Sequence, residues 1–378
     1  MLSSLLQEAD RRVIAAAADP EGTRLGNVTK TVRRKGRAST IHEVASLAKV
    51  SPMTVSRVVN GSGNVRDVTR ERVMRAVREL GYTPNLAARS LAGAQGTRIA
   101  LIYTNPSAAY LSELLVGALR GTARCAAQLV VDSWDGFDAR AERKAARALA
   151  KSVAGVILPP PLCESNAVIS ELTAAKVPVV AIASGRASDD ISRVRIDDFR
   201  ASREITAYLI ARGHTRIGYI EGNPNQSASA RRYEGYQAAL QDAGIAVDPG
   251  LVQHGLFTYR SGLEAAEKLL GRRRVPTAIF ASNDDMAAAA VSVAHRRHLE
   301  VPGDLSVVGF DDTSAATTVW PELTTVRQPI ASMADSAIGI LMRSIRHKER
   351  DTRVVVDHVV AHLLVERDSV SPPDGTAG

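Results

Sequence analysis

The chain has 378 residues, 45% of them hydrophobic and 4% aromatic, with a net charge of +8, a size that suits two or three globular units rather than one. No apolar run is long enough to cross a bilayer, the start MLSSLLQEADRR carries acids where an export signal has a basic leader, and two cysteines without zinc-ligand spacing, Cys125 and Cys163, exclude a disulfide framework, which leaves a cytoplasmic protein with buried thiols and no membrane partner. Residues 1–98 hold 17 Lys and Arg against 8 Asp and Glu, whereas the other 280 hold 31 against 32, so the basic excess predicts a polyanion-binding module at the N-terminal end of a neutral body.

Residues 1–37 form no domain of their own. LQEADRRVIAAAA has helical composition, but PEGTRLGNVTKTVRRKGRA reads as a disordered basic extension whose Lys30, Arg33, Arg34, Lys35 and Arg37 can reach phosphates. Three short helices are predicted within 38–84. Thr40-Ile41-His42-Glu43 is a capping box, and Val44, Ala45, Leu47 and Ala48 give the first helix an inner face. Ser51 can cap the second helix, with Pro52 at the first helical position, where no N–H is needed. Val55, Val58 and Val59 recur at helical spacing, and Gly61-Ser62-Gly63 ends the run. The third helix passes through TRERVMRAVREL, with Val73, Val77 and Leu80 on one side and Gly81 as its stop. NLAARSLAG, 85–93, offers Asn85 as a cap and Gly93 as a terminator. The stretch between them is well short of the ~12–15 residues an isolated helix needs.

From Thr97 onward short β-branched runs (RIALIYT, QLVVDS, GVILPP, VPVVAIAS, RIGYIEG, TAIFAS, LSVVGFDD) are mostly separated by helical stretches such as YLSELLVGALRGTARCA and DDMAAAAVSVAHRRH. Apolar strands between helices predict parallel sheets covered on both faces, and some 280 residues of this pattern suit two doubly wound halves. RVVVDHVVAHLLVERDS supplies edge strands. Residues 369–378 read as a disordered tail, without a leucine heptad.

Two short helices joined at Lys49-Val50 make a helix-turn-helix. Its second helix has to fit a major groove, so its outer side must be narrow. Ser51, Thr54 and Ser56 can donate to phosphate oxygens without holding the helix away, and Arg57 can reach a guanine edge with its bidentate fork.

TIHEVASLAKVSPMTVSRVVNGSGNVRDVTRERVMRAVRELGYTPNLAARSLAG closely resembles the DNA-binding headpiece of the LacI/GalR family of transcription regulators. The resemblance continues through GHTRIGYI (213–220), RRYEGYQAAL (231–240), SNDDMA (282–287), VPGDLSVVGFDD (301–312) and PELTTVRQP (321–329). It implies phosphate contacts at Thr40, Ser51, Thr54, Ser56, Asn60, Asn64 and Thr69. Base-edge contacts fall at Pro52, Met53 and Arg57, with Arg57 carrying most of the direct readout. One departure lies in the turn, where relatives often have glycine and this chain has Lys49. Residues 85–96 are then a hinge helix and linker, beginning at Asn85. That helix pairs with its twin across a homodimer on a pseudo-palindromic double-stranded operator, and Leu91 wedges a base step apart.

The fold expected is therefore α/β: a three-helix headpiece and hinge helix, then a two-subdomain, periplasmic-binding-protein-like effector domain over 97–368. Parallel α/β halves bind ligands at the carboxyl ends of their strands, where Asn105, Ser184, Asn283, Asp284, Asp311 and Asp312 fall; Arg232 opens a helix soon after RIGYIEG. By match to the family, Arg232, Asn283 and Asp311 are the leading contacts for a small polar effector such as a sugar, since Asp and Arg make bidentate, charge-assisted bonds to hydroxyls. Tyr110, Trp134 and Trp320 can supply an apolar wall. Each has a plainer alternative: Asp284 and Asp312 as helix caps, Trp320 in the core, Tyr110 at the surface. His214, in GHTRIG, is expected to make a structural hydrogen bond.

The function implied is an effector-controlled transcriptional repressor, with a transport-type sugar-binding protein as the alternative. No phosphate loop, dinucleotide glycine fingerprint or nucleophile elbow is present, so neither catalysis nor a cofactor is expected, and no metal is called for.

Overall fold

The computed structural model describes residues 39–59, 65–82, 97–104, 107–136, 138–186, 189–347 and 354–373. The chain divides into two compact units at Leu86 and Ala87, each described by itself. The expected extension at 1–37 and hinge at 85–96 lie outside the described residues.

The first unit holds α1 (Ile41–Ala48), α2 (Pro52–Val59) and α3 (Asp67–Glu79). The capping box is complete: Glu43 N–H donates to Thr40 Oγ1 at 3.4 Å, and Thr40 N–H donates to Glu43 Oε2 at 2.7 Å. Lys49 is left-handed, at φ 50 and ψ 50, which costs on the order of 1 kcal/mol for a non-glycine residue and turns the chain sharply into α2. Thr54 N–H donates to Ser51 Oγ at 3.2 Å, starting α2. Val44, Ala45, Ala48, Val55, Val58, Val73 and Ala76 form the core, with Val59, Val77 and Leu80 packed at its edge. Leu47, expected inside, is exposed, because it lies on the flank of the face that Val44, Ala45 and Ala48 define. Gly81, at φ +56, closes α3.

The second unit contains two six-stranded sheets. In chain order its elements are β1 (Arg98–Tyr103), α4 (Ala108–Arg124), β2 (Gln128–Ser133), α5 (Ala139–Leu149), β3 (Gly155–Leu158), α6 (Asn166–Ala174), β4 (Val179–Ile182) and β5 (Ser192–Arg195). They continue with α7 (Asp198–Ala211), β6 (Ile217–Glu221), α8 (Ser227–Asp242), β7 (Val252–His254), α9 (Tyr259–Leu270), β8 (Ala278–Ala281), α10 (Asp284–Arg296), β9 (Ser306–Asp311) and α11 (Ser314–Thr318). Last come β10 (Thr324–Arg327), α12 (Ile330–His347), β11 (Asp357–Val359) and β12 (Leu363–Val365). The strand orders are β11-β5-β4-β3-β1-β2 and β12-β10-β9-β8-β6-β7. Among the described residues every strand pairing is parallel except β10 with β12.

The chain crosses between subdomains three times: after β5, after β10, and between β11 and β12. The final apolar run thus delivers one edge strand to each sheet. α12 returns to pack on α4, and a Cβ at Gly117 would stand 2.0 Å from the Ala331 carbonyl oxygen. Gly117→Ala is expected to destabilise the body by about 1–3 kcal/mol through overpacking. By contrast Gly339→Ala, within α12, adds a methyl group that would meet only Arg343 Nη1, at 3.8 Å, and is expected to be neutral or mildly stabilising. Urea unfolding of the two variants checks both signs.

The expected tail is a correction. Ser369 is fully buried; its hydroxyl accepts from Thr324 N–H at 2.8 Å and donates to the Val307 carbonyl at 2.5 Å. Ser371 Oγ donates to the Pro302 carbonyl at 2.9 Å. These bonds tie 369–373 to the second sheet; residues 374–378 lie outside the described residues. His214 is buried between Thr277 Oγ1 (3.0 Å) and the Ser371 carbonyl (2.9 Å), a structural role. Both cysteines are free; Cys163 is buried and Cys125 only half-buried. Among the described residues no helix is long and apolar enough to cross a membrane.

Candidate functional site

On the headpiece, burial of Val55 and Val58 turns the opposite side of α2 outward. Ser51, Pro52, Met53 and Arg57 are exposed, and Met53 is 64% accessible, a bare apolar side chain that groove contact would cover. Thr54 and Ser56 are half-buried beside them, and Ser51 Oγ is hydrogen-bonded to Thr54 Oγ1 at 2.9 Å. Thr40 and Thr69, at or near the starts of α1 and α3, are partly exposed. Asn60, Asn64, Asn85 and Leu91 lie outside the described residues.

In the body, the carboxyl ends of the two sheets face each other across a narrow cleft, in which water-sized spheres find about 30 Å³ of room and whose space counted out to open solvent is about 430 Å³. The segments after β1, β3 and β4 bring Ser107, Tyr110, Pro160 and Ala183. Opposite them stand Arg232 of α8, and Phe257, Asn283, Asp311 and Gln328 at or after the ends of β7, β8, β9 and β10.

Arg232 is 4% exposed. Its Nε donates to Asp198 Oδ1 at 2.8 Å and its Nη1 to the Ser282 carbonyl at 2.5 Å, with Nη1 3.6 Å from Asp311 Oδ1. The guanidinium lies over the Phe310 ring, 3.7 Å from its centroid, a cation–π contact. Burial works to lower its pKa, but Asp198 and Asp311 more than offset that and hold it above the ordinary value, so it remains a cation.

Asp311 accepts from Gln328 Nε2 at 2.6 Å. Burial pushes its carboxyl up to about 7; Arg232 and Gln328 oppose this, while Asp285 and Asp198 add to it. Asp311 and Asp312 have φ of 110 and 55, two successive non-glycine residues in a region that costs on the order of 1–3 kcal/mol each. Asp312 is pinned there by Arg327 (2.5 Å) and Arg367 (2.6 Å). Two buried atoms in the cleft, Tyr110 Oη and Gln328 Oε1, have no hydrogen-bond partner among the described residues. Each such atom costs about 1–3 kcal/mol, which a ligand hydroxyl can recover. Burial raises the Tyr110 phenol strongly, so it stays a neutral O–H.

Of the expected effector residues, the cleft brings together Tyr110, Arg232, Asn283 and Asp311. Asn283 is already engaged: its Oδ1 accepts from Met286 N–H at 3.0 Å, capping α10, and its Nδ2 donates to the Phe257 carbonyl at 3.1 Å. Ser184 departs from expectation, since its hydroxyl donates to Glu164 Oε1 at 3.2 Å and it does not line the cleft. Asn105 lies outside the described residues. Neither tryptophan is a wall: Trp134 is buried and donates to Asp132 (3.1 Å), and Trp320 is 77% exposed. Asp284 and Asp312 are not caps. Asp284 is buried beneath the cleft, accepting from Thr313 N–H (2.7 Å) and Thr325 Oγ1 (2.6 Å). Asp198, Phe257 and Gln328 were missed by sequence reasoning, although Gln328 lies inside the PELTTVRQP motif.

Comparison with known proteins matches residues 40–85 to bacterial regulatory proteins of the lacI family and residues 206–370 to a periplasmic binding protein-like domain. The HTH-type transcriptional regulator DegA of Bacillus subtilis (strain 168) is 36% identical over 337 residues, 88% of this chain and 98% of that one. The solved complex of the transcriptional regulator CelR with cellobiose aligns with a TM-score of 0.66 and 32% identity, covering 88% of this chain and 99% of that one. The lac repressor dimer bound to operator and the anti-inducer ONPF aligns with a TM-score of 0.66 and 28% identity, over 89% and 100% of the two chains. With a helix-turn-helix unit and a two-sheet body both matched along nearly the whole length of such relatives, the chain belongs to the lacI family of bacterial regulatory proteins and is a DNA-binding transcriptional regulator.

Proposed function

We propose that this regulator is a homodimeric repressor whose operator affinity is set by a small polar metabolite, a sugar or sugar derivative, held in the cleft. The observation that carries the reading is the buried Arg232–Asp198–Asp311 cluster beside Tyr110 Oη and Gln328 Oε1, two polar atoms without partners among the described residues. Hydroxyls of a sugar supply both the donors and the acceptors such a site needs. The relatives support the same reading, one solved with cellobiose and one as a dimer on its operator. The exposed Val116, Leu119 and Val131, on α4 and the neighbouring edge strand β2, are the kind of apolar patch that a second copy covers.

In this scheme α2 enters the major groove, with Arg57 on a base edge and the small hydroxyls of Ser51, Thr54 and Ser56 on phosphates. The hinge pairing expected at 85–96, with Leu91 wedging a base step, falls outside the described residues. A ligand that closes the cleft biases that pairing, so effector and operator affinities are linked reciprocally. Operator binding measured with and without a cleft-binding sugar tests this; an affinity that no such ligand changes would overturn it. Operator affinity should also fall with salt, at a log–log slope of about −0.9 for each phosphate neutralised. Arg57→Ala is expected to relax base preference at one operator position by about 1–3 kcal/mol, read by binding to a panel of single-base operator variants.

A further inference from the structure

Two carboxylates cross the cleft in opposite directions, and each meets the start of a helix. Glu164, from the first subdomain, reaches the amino end of α8. Its Oε2 accepts from Ser227 N–H at 3.1 Å, and its Oε1 accepts from the hydroxyls of Ser227 and of Ser184, the latter at 3.2 Å. The Ser227 hydroxyl also accepts from Gly185 N–H at 2.8 Å. The Glu164 side chain is 6% exposed, with Arg186 3.9 Å away. From the second subdomain, Asp285 accepts a hydrogen bond from Ser107, the residue that caps α4.

A helix start, with its unpaired N–H groups and positive dipole end, is ordinarily a place where an anion binds. α8 is the helix that carries Arg232, and Gln226 and Ala228, on either side of Ser227, line the cleft. Its anion position is filled by the protein's own carboxylate.

The charges inside the cleft run the same way. Among the described lining residues Arg232 is the one cation, and it is engaged with Asp198 and Asp311. Gln328 Oε1, buried and without a partner among the described residues, can only accept. A hydroxyl can donate to it; an ionised phosphate or carboxylate oxygen cannot.

Building on the effector role proposed for this cleft, we propose that it selects an electrically neutral, hydroxyl-rich ligand against phosphorylated or carboxylated counterparts, and that Glu164, by occupying the amino end of α8, is a specificity-determining residue. Glu164 does this without touching the ligand: it removes the anion position and adds a negative charge at the cleft's edge.

The test uses the full chain and matched probes: glucose and cellobiose, glucose 6-phosphate and gluconate, and inorganic phosphate at constant ionic strength. Calorimetry on the wild type should find the neutral sugars binding at least about tenfold more tightly than the anionic ones, and phosphate should not raise its melting temperature. Glu164→Gln keeps the side chain's size and removes its charge; Glu164→Ala uncovers the helix start. Both should narrow the neutral-to-anionic ratio, and Glu164→Ala should gain a saturable phosphate-dependent rise in melting temperature. Wild-type protein binding glucose 6-phosphate as tightly as glucose, with that binding lost in Arg232→Ala, would overturn the charge selection while leaving the effector site standing. An unchanged ratio and no phosphate response in both Glu164 variants would remove Glu164 from the role. Neutral-sugar binding that survives intact in Arg232→Ala would place the ligand elsewhere and overturn both readings.

Discussion

Arg232→Ala is expected to yield a protein that still binds its operator but no longer answers to any small molecule, with a body less stable by about 3–5 kcal/mol. The cost follows from what the guanidinium does. It is buried, bonded to Asp198 and the Ser282 carbonyl, close to Asp311, and stacked on Phe310. Alanine leaves a buried carboxylate at Asp198 with its cation gone, and Asp311 then faces Asp198 with no charge between them. Both carboxyls already have pKa values raised by burial, with Arg232 as the largest opposing influence. Removing it drives them further toward the neutral form. The penalty should therefore shrink as pH falls and the two carboxyls take up protons, a dependence that simple cavity formation would lack. Arg232→Lys should recover only part of the loss, because one ammonium cannot reproduce the planar fork and the ring contact together. Urea unfolding at two pH values, with operator binding measured with and without a sugar, reads both halves. A variant as stable as the wild type, or one that still responds to ligand, would contradict the account.

The parts of this molecule that sequence alone exposes are those written into local chemistry. The capping box at Thr40 and Glu43, the serine–proline start of α2 and the glycine stop at Gly81 each follow from a few adjacent residues, and each stands in the structure as expected. Continuously apolar strands between helices were equally legible, down to the four residues of β3, β4 and β8. β5, β7 and β10 were not: they are as short but polar in half or more of their residues, and Ser192-Arg193-Val194-Arg195 or Val252-Gln253-His254 becomes a strand only because a neighbour is there to pair with it. The site divides in the same way. Arg232 and Asp311 were found through motifs, but Asp198 stands 34 positions from Arg232 and meets it only when α7 and α8 pack together. Gln328 gains its role from register, since β10 pairs with β9 so that Arg327 stands opposite Asp311 and the next residue reaches the carboxylate. Glu164 crosses to another subdomain, and nothing in Leu162-Cys163-Glu164 announces that.

Ligand binding should depend steeply on pH, through Asp311. Burial, with Asp285 and Asp198 nearby, holds its carboxyl at about 7 in the folded protein, against about 3.9 in an unfolded chain. Between those values the folded state carries a proton that the unfolded state has lost. Asp311 therefore contributes stability that is fully present below about pH 4 and is lost as pH rises through 7, with a slope of at most about 1.4 kcal/mol per pH unit. Asp198, Asp284 and Asp285, also raised by burial, act in the same sense, whereas Glu204, Asp357 and His214, whose pKa values are lowered, act in the opposite sense, so the whole-protein curve mixes them all. Asp311→Asn removes this carboxyl from the titration and, with it, the charge that helps hold Asp284 up: asparagine resembles the protonated acid and can still accept from Gln328, and this variant should gain on the wild type from pH 4 to 7. The ligand sees the other side of the same linkage. A sugar hydroxyl that donates to Asp311 needs the carboxylate, so binding releases a proton. As pH rises toward 7 the dissociation constant should then fall by up to about tenfold per pH unit, and it should level off above 7. In Asp311→Asn binding should be weaker and nearly independent of pH. A wild-type affinity that stays flat from pH 5 to 7 would show that the ligand does not draw on the Asp311 carboxylate, and Arg232 with Gln328 and Tyr110 would then have to account for recognition on their own.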